Sequence, residues 1–231
     1  MKILGLIPAR GGSKGIRHKN IYEVGGKPLI AYTIEEALKA KECGSICDVV
    51  VTTDDSDIAE VSKKLGASVP FLRPAEISKD TSKSVDCMIH AFKFFRDQGI
   101  LYDAIMLLQP TSPLRIADDI IKSAEAYENG NCDSLISCYL EESISEYNSY
   151  HIRNGETVPL NVNHNKGKRR QDIEPLFVRN GAIFITDVNF MLETQLVIGE
   201  KPLIFIMPRE RSANIDTYYD MQEAEWVLSR R

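Results

Sequence analysis

Residues 3–20 read ILGLIPARGGSKGIRHKN, a short apolar run followed by a loop rich in glycine and positive charge. The run at residues 3–7 is a strand candidate, and the loop carries the fixed cations Arg10, Lys14, Arg17 and Lys19. Glycine lets backbone N–H groups approach an anion closely, and arginine and lysine neutralise phosphate charge. We therefore predict a strand that ends in a polyphosphate cradle. A solvated surface loop remains the alternative, because the spacing matches neither the Walker pattern nor the dinucleotide fingerprint.

The composition indicates a folded, acidic protein. The chain has 231 residues, 43% of them hydrophobic, and a formal net charge of -5. It can bury a core within one domain spanning residues 1–231, and the negative charge argues against a general binder of nucleic acid or of membrane surfaces. The cations of the loop are therefore expected to serve a small anionic partner.

Cysteine usage and hydropathy predict a cytoplasmic protein. The five cysteines are scattered without a Cys-x-x-Cys pair, which favours free thiols in a reducing compartment over disulfides or a zinc site. No stretch approaches the roughly eighteen apolar residues of a membrane span, and the apolar start is too short for a signal sequence.

Hydrophobic periodicity alternates between strand-like and helix-like segments along the chain. Strands are predicted at residues 3–7, 48–53, 67–72, 104–108, 134–137, 182–186 and 203–207, and helices at 29–38, 58–65, 85–95, 118–127 and 218–229. This order predicts an α/β fold with a doubly wound, mostly parallel sheet. Ligands of such sheets bind beyond the carboxyl ends of the strands, so the cradle, Asp54 and residues 109–115 are expected to converge.

The alternation stops at residues 140–178, which we call the arm segment. It is polar, contains the basic cluster Lys166, Lys168, Arg169 and Arg170, and has little helical periodicity. Structureless loops of this length are uncommon in compact domains. The arm segment is therefore predicted to be a lid or dimerisation arm, with disorder as the alternative.

Five sequence blocks occur in order along nearly the whole chain. They are residues 7–20 (IPARGGSKGIRHKN), 53–54 (TD), 72–84 (LRPAEISKDTSKS), 108–115 (LQPTSPLR), and 180–185 with 212–220 (NGAIFI and SANIDTYYD). Together they resemble the CMP-acylneuraminate synthetases, cytidylyltransferases that activate sialic acid and related nine-carbon keto acids. The resemblance implies a three-layer, Rossmann-like nucleotidyltransferase. It also implies transfer of CMP from CTP to the anomeric hydroxyl of a 2-keto-3-deoxy sugar acid, with release of pyrophosphate.

The resemblance also implies roles for individual residues. The catalytic residues would be Lys14, Arg10, Lys19 and Asp216; the nucleotide would be bound by Ala9, Arg10, Gly11, Gly12, Ser13, Lys14, Lys19, Asn20, Arg73 and Ser84; and the sugar by Gln109, Thr111, Ser112, Arg170 and Asn180. Cations near the β- and γ-phosphates would stabilise charge on the pyrophosphate leaving group. Arg17 has no assigned role and is expected to be a solvated neighbour.

Magnesium is the cofactor that the resemblance implies. Asp216 would supply a carboxylate, and Asn214 stands where the family usually has a second aspartate. An amide oxygen can ligate the ion or orient a water molecule, but it adds no charge. Asp54 and Asp55 are alternative ligands, although capping of the following helix would equally explain Asp55.

In the resembling family, the irregular segment crosses to a second subunit. This implies a homodimer in which Arg170 reaches the partner's sugar site, while a solvated charge run is the alternative.

Other functions remain to be compared with this one. The same reaction on legionaminic or pseudaminic acid fits the motifs equally well, whereas the Gly-Asp-Glu block of the enzymes that activate the eight-carbon acid Kdo is absent. A glycosyltransferase would show an Asp-x-Asp metal motif, and residues 55–57 have that spelling but are predicted to open a helix. A non-catalytic nucleotide sensor would have no use for Gln109 or Asp216.

Overall fold

A computed structural model describes residues 1–12 and 15–230, with the side chain of Arg170 left out. The strands are β1 (Ile3–Pro8), β2 (Glu23–Val24), β3 (Lys27–Pro28), β4 (Asp48–Thr52), β5 (Ala104–Leu108), β6 (Ser134–Glu141), β7 (Tyr150–Arg153), β8 (Glu156–Pro159), β9 (Leu176–Asp187) and β10 (Leu203–Ile206). The α-helices are α1 (Leu29–Glu42), α2 (Ser56–Lys64), α3 (Ser84–Arg96), α4 (Ala117–Asn129), α5 (Val188–Thr194) and α6 (Tyr218–Leu228).

The central sheet has the strand order β10-β6-β9-β5-β1-β4. Strand β1 pairs in parallel with β4 and β5, and β10 pairs in parallel with β6. Strand β9 lies antiparallel between β5 and β6. The predicted mostly parallel sheet is therefore confirmed, with one reversed strand that closes the gap between its two parallel parts.

Helices cover both faces of the sheet, which confirms the three layers. Apolar side chains of α1, α2 and α4 pack on one face in a single core cluster with β1, β4 and β5. Those of α3 and α5 pack on the other face in a second cluster. The strands buried between them are nearly continuous apolar runs, as expected for a sheet covered on both sides. None of the helices in the described residues is both long enough and apolar enough to span a membrane.

Two local predictions differ from the structure. The strand predicted at residues 67–72 is wrong, because only Ser68 makes an isolated parallel bridge, to Val50. Pro70 and Pro74 bracket the rest of this segment and lack the N–H that a ladder needs. Helix α5 was not predicted, since its seven residues are too few to establish a helical period.

Strand β9 bulges away from β6 in the middle of the sheet. Phe184 of β9 pairs with Ile136 of β6, and Arg179 pairs with Cys138. The stretch from Arg179 to Phe184 therefore lies opposite a shorter stretch of β6. Gly181 lies in this bulge with a φ of 76°, a left-handed conformation that favours glycine. Ser137 of β6 accepts a hydrogen bond from the Ile183 N–H at 2.8 Å, which satisfies a donor that the bulge takes out of the ladder. Bulges of this kind redirect side chains at the edge of a site.

The arm segment has more structure than the sequence predicted. It includes the hairpin β7–β8, and its ends belong to β6 and β9. At its start the buried Glu141 accepts hydrogen bonds from the Ser143 N–H at 2.6 Å and from Arg209 Nη1 at 2.7 Å. Hydrogen bonds from Ser143 and Arg209 lower the pKa of Glu141 to about 2. The start of the arm is thus anchored to the sheet.

Candidate active site

The carboxyl ends of β1, β4 and β5 meet at one edge of the sheet, where three cavities lie side by side. The central cavity has a volume of about 490 Å³ and is lined by Arg10, Lys19, Gln109 and Asp216, among others. A second cavity of about 250 Å³ shares Arg10 and Gln109 with it and extends towards α3. The expected convergence of the cradle with residues 109–115 is therefore observed, Asp54 contacts the cradle at Gly11, and the loop at residues 214–216 joins them.

Close backbone packing places the glycine-rich loop at this edge. The Gly11 N–H donates to Asp54 Oδ1 at 3.0 Å, and a Cβ on Gly11 would lie 2.5 Å from Asp55 Oδ2. A Cβ on Gly15 would lie 2.8 Å from the Asp216 carbonyl oxygen. Glycine is thus required at both ends of the loop, because no larger residue fits against these two aspartates.

Asp54 and Asp55 are occupied by structural contacts. Asp55 caps α2 by accepting from the N–H groups of Asp57 and Ile58 at 2.8 and 3.1 Å. Asp54 lies 3.6 Å from a guanidinium nitrogen of Arg73 in addition to its bond from Gly11. The capping interpretation of Asp55 is confirmed. The described residues contain no cluster of three or more acidic, histidine or cysteine side chains that would form a metal site.

The predicted phosphate-binding cations are paired with nearby oxygens. Arg10 Nη1 lies 2.6 Å from Asp80 Oδ1, with about a third of each side chain exposed. Lys19 Nζ donates to the Ile215 carbonyl at 2.9 Å and to Asp216 Oδ1 at 3.1 Å. Both ion pairs face solvent at least in part, so exchange of a carboxylate for a phosphate oxygen costs little energy.

The cavity next to α3 holds the residues expected to contact the nucleoside. Arg73 is 7% exposed, and its Nε donates to Ser78 Oγ at 3.0 Å. Ser84, at the first position of α3, lines this cavity together with Cys87. Burial raises the pKa of the Cys87 thiol, which keeps it protonated. Asn20 is buried and donates to the Arg10 carbonyl at 3.0 Å, so it supports the loop directly.

Residues 109–115 form the wall between the two cavities. Gln109 lines both, and within residues 1–12 and 15–230 no hydrogen bond occupies its side-chain amide. The Thr111 carbonyl accepts from the Ile215 N–H at 2.8 Å and thereby fixes the loop that carries Asp216. Ser112 is 1% exposed, and its Oγ has no partner among the described groups. Sugar contact by these residues stays a prediction.

A third cavity of about 340 Å³ adjoins the central one at Gly181 and Phe184, and we call the three cavities together the groove. Its further lining includes Tyr139 and Arg179, which motif reading did not single out. Asn180 also borders it, but its amide is 4% exposed and accepts from Ser137 Oγ at 2.6 Å while donating to Ser212 Oγ at 2.9 Å. The structure therefore uses Asn180 to brace the bulge, and its predicted sugar contact remains untested.

Asp216 and Asn214 present the oxygen atoms best suited to a magnesium ion. Asn214 Nδ2 donates to Asp216 Oδ2 at 2.8 Å, an arrangement that holds the two side chains together. Both residues are exposed to the central cavity. Magnesium is usually bound by one or two carboxylates together with substrate phosphates and water. One carboxylate and one amide oxygen are compatible with that coordination.

Three predicted residues cannot be placed in the site. Ser13 and Lys14 lie outside the described residues, as does the side chain of Arg170. Arg17 is exposed in the described part of the loop, as expected for a solvated neighbour, and His18 beside it is exposed as well.

The chain resembles characterised proteins over nearly its full length. A family model described as Cytidylyltransferase matches residues 4–217. Pseudaminic acid cytidylyltransferase of Campylobacter jejuni subsp. jejuni serotype O:2 is 34% identical over 97% of this chain and 95% of its own length. N-acylneuraminate cytidylyltransferase of Escherichia coli O18:K1:H7 is 34% identical over 100% of this chain and 53% of its own length.

Among solved structures, a CMP:2-keto-3-deoxy-manno-octonic acid synthetase complexed with CTP has the same fold. Its TM-score is 0.72 at 15% identity, covering 100% of this chain and 99% of the other. This similarity supports the architecture of the sheet and its helices.

Proposed function

The chain belongs to the cytidylyltransferase family, and on this premise we propose that it transfers CMP from CTP to the anomeric hydroxyl of a nonulosonic acid. The observation that carries the proposal is that Arg10, Gln109 and Asp216 all line the central cavity. Arg10 supplies positive charge for phosphates, Gln109 an unused amide, and Asp216 a carboxylate. A nucleotide sensor would need only the first of these.

The proposed reaction exchanges one phosphoanhydride for one phosphoester bond. The anomeric oxygen attacks the α-phosphorus of CTP, the α–β bridging bond breaks, and pyrophosphate leaves with its electron pair. The hydroxyl proton passes to solvent, and we assign it to no side chain. Charge builds up on the leaving group, so Arg10 and Lys19 at the loop contribute most by stabilising pyrophosphate.

Magnesium is proposed as the cofactor, with Asp216 and Asn214 as its protein ligands. When bound, it would neutralise phosphate charge and polarise the phosphoryl oxygens. Lys19 donates to Asp216 Oδ1 and so fixes this carboxylate at the entrance to the central cavity.

The identity of the sugar acid is open between several nine-carbon acids. Relatives named for pseudaminic acid and for N-acylneuraminate are equally similar, at 34% identity. The acid is expected to extend from Gln109 into the cavity lined by Tyr139, Arg179 and Phe184. A guanidinium there suits an acid carboxylate or acyl oxygen.

A turnover screen tests the proposed function. We expect CTP, magnesium and one member of a panel of N-acetylneuraminic, legionaminic and pseudaminic acids to yield pyrophosphate and the corresponding CMP-sugar. The readouts are a coupled pyrophosphate assay and mass spectrometry of the product. Sugar transfer without pyrophosphate would point to a glycosyltransferase. Tight CTP binding with no turnover on any acid would favour a sensor, and in either case the proposal would be rejected.

A homodimer is proposed because the arm segment exposes apolar side chains far from the core. Ile152 and Val162 are 80% and 83% exposed, and Phe177 is 42% exposed. Stable interfaces bury about 800 Å² on each partner, with an apolar centre. A second copy of the chain would cover these residues, and Arg170 would then be available to the partner's site.

We expect the double variant Ile152→Asp and Val162→Asp to shift the protein from dimer to monomer in light scattering. The physical reason is that two buried, unpaired carboxylates would oppose association. The matched control is Leu101→Asp, which replaces an exposed apolar residue outside the arm. A wild-type protein that is monomeric at micromolar concentration would refute the dimer.

A cytoplasmic location is also proposed. All five cysteines are free in the structure, which suits a reducing compartment where CTP is abundant.

A further inference from the structure

Arg115 is the largest fully buried side chain of the described residues, and it is charged. Its residue exposure is 1%, and it occupies the end of the loop that follows β5. Burial lowers the pKa of its guanidinium to about 10, so it stays protonated at neutral pH. A buried charge is costly because it gives up its hydration, and only hydrogen bonds or opposite charges around it offset that cost.

The acceptors of this guanidinium are neutral oxygens. Nη1 donates to the Ala182 carbonyl at 2.6 Å and to the Gln109 carbonyl at 3.3 Å, and Nη2 donates to Thr33 Oγ1 at 2.7 Å. Thr33 Oγ1 itself lies 3.4 Å from the Gln109 carbonyl. A single side chain therefore joins the end of β5, the bulge of β9 and helix α1.

The nearest carboxylates are already used elsewhere. The Asp119 carboxylate accepts two hydrogen bonds from the Arg211 guanidinium, at 2.6 and 3.0 Å. The Glu36 carboxylate accepts one from the Ala117 N–H, at 2.6 Å. In the described part of the chain, Arg115 makes no ion pair with either. Its described hydrogen bonds thus go to two backbone carbonyls beside the groove and to one hydroxyl, and not to a carboxylate.

Gln109 and Ala182 are neighbours at the ends of adjacent strands, because Leu108 of β5 pairs with Ile183 of β9 and Gln109 follows Leu108. Gln109 lines the central cavity and the one towards α3, and Gly181, next to Ala182, lines the central cavity and the one beyond it. The backbone at this point therefore fixes where the Gln109 amide and Gly181 lie in the central cavity. The nucleoside residues Arg73 and Ser84 have no hydrogen bond to Arg115 in the described structure.

We propose that Arg115 is a positioning residue that holds the backbone of Gln109 against the β9 bulge, so that the Gln109 amide is fixed where the acid substrate is expected, an inference that rests on the proposed function. The guanidinium fixes the backbone that carries the Gln109 amide, whereas it makes no hydrogen bond to the nucleoside residues Arg73 and Ser84 in the described structure, so CTP binding is expected to depend on it much less. It selects for the acid through the backbone and does not touch the substrate.

The test compares the two substrates separately in the full-length enzyme. Arg115→Met removes the charge and the donors, and Arg115→Lys keeps the charge but cannot reach several acceptors in a fixed plane. We expect kcat/KM for the acid to fall about 10- to 100-fold in Arg115→Met, as for loss of a group that orients a ligand. The dissociation constant of CTP, measured by calorimetry, should stay within about 2-fold of wild type.

Two further variants separate positioning from folding. Thr33→Val keeps the shape but loses the Nη2 contact, and we expect a smaller loss in the same direction if Arg115→Met does not fold. Tyr102→Phe removes a buried bond to Asp48 of 2.6 Å outside the groove and serves as a stability control. It should lower the melting temperature without changing the preference between substrates.

Equal losses for acid and CTP in the Arg115 and Thr33 variants would overturn the positioning role, as would no loss beyond that of Tyr102→Phe. Either result would leave the proposed function intact, since that depends on wild-type turnover. If the wild type turns over no acid in the panel, the proposed function fails and the inference about Arg115 falls with it.

Discussion

Replacement of Asp216 with alanine is expected to lower kcat by about 10²- to 10³-fold, the usual loss when a group that stabilises transition-state charge is removed. Asp216 is the carboxylate at the mouth of the central cavity, and it also holds Lys19 by a bond of 3.1 Å. Its loss would remove the proposed metal ligand and release the lysine. Pyrophosphate release at saturating CTP and acid is the measurement.

Controls for this variant come from the same loop and from a distant helix. Asp118→Ala removes a carboxylate on α4 whose ion pair, among the described residues, is with Lys122 on the surface, and wild-type turnover is expected. Asn214→Asp adds charge beside Asp216, and we expect it to lower the magnesium concentration at half-maximal rate. If Asp216→Ala kept turnover within about 3-fold of wild type, Asp216 would have no place in the mechanism.

The second large effect is expected for Lys14→Ala, which should also lower kcat by about 10²- to 10³-fold. Lys14 belongs to the glycine-rich loop, between Gly11 and Gly15, whose close packing on Asp55 and Asp216 brings the loop to the central cavity. Lys14 itself lies outside the described residues, and we propose that its charge stabilises the departing pyrophosphate. The measurement is single-turnover pyrophosphate release with CTP saturating, which separates chemistry from binding.

Arg17→Ala is the matched control, because Arg17 is a cation of the same loop that lies exposed to solvent. It should retain kcat and change the KM for CTP only slightly through long-range charge. Robust pyrophosphate release by Lys14→Ala would remove Lys14 from the catalytic set and leave Arg10 and Lys19 as the phosphate ligands.

The parts of the fold that sequence predicts well are those with strong local patterns. Strands β1, β4 and β5 are short apolar runs ended by polar residues, and α3 repeats its apolar side chains with helical spacing. The glycine-rich loop and residues 108–115 combine unusual residue types in one place. Their convergence follows from the parallel sheet, in which the carboxyl ends of strands share one edge.

Other features depend on long-range contacts that no local pattern reveals. The apolar run of β9 reads the same in either direction, so its antiparallel course is invisible in sequence. Arginine is seldom fully buried, so the sequence alone does not place Arg115 in the interior. The hydrogen bonds of the Asn180 amide with Ser137 and Ser212 join residues that are far apart in the chain, so no local pattern reveals them.

The two halves of β9 place different limits on length variation. Its first residues, from Leu176, are exposed and belong to the arm segment, while the second half is buried between β5 and β6. An insertion near Leu176 would have to be absorbed by the bulge at Gly181, because a one-residue slip would turn every following side chain to the opposite face. Relatives should therefore vary in length within the hairpin β7–β8 and its flanks, and align without gaps from Leu176 to Asp187.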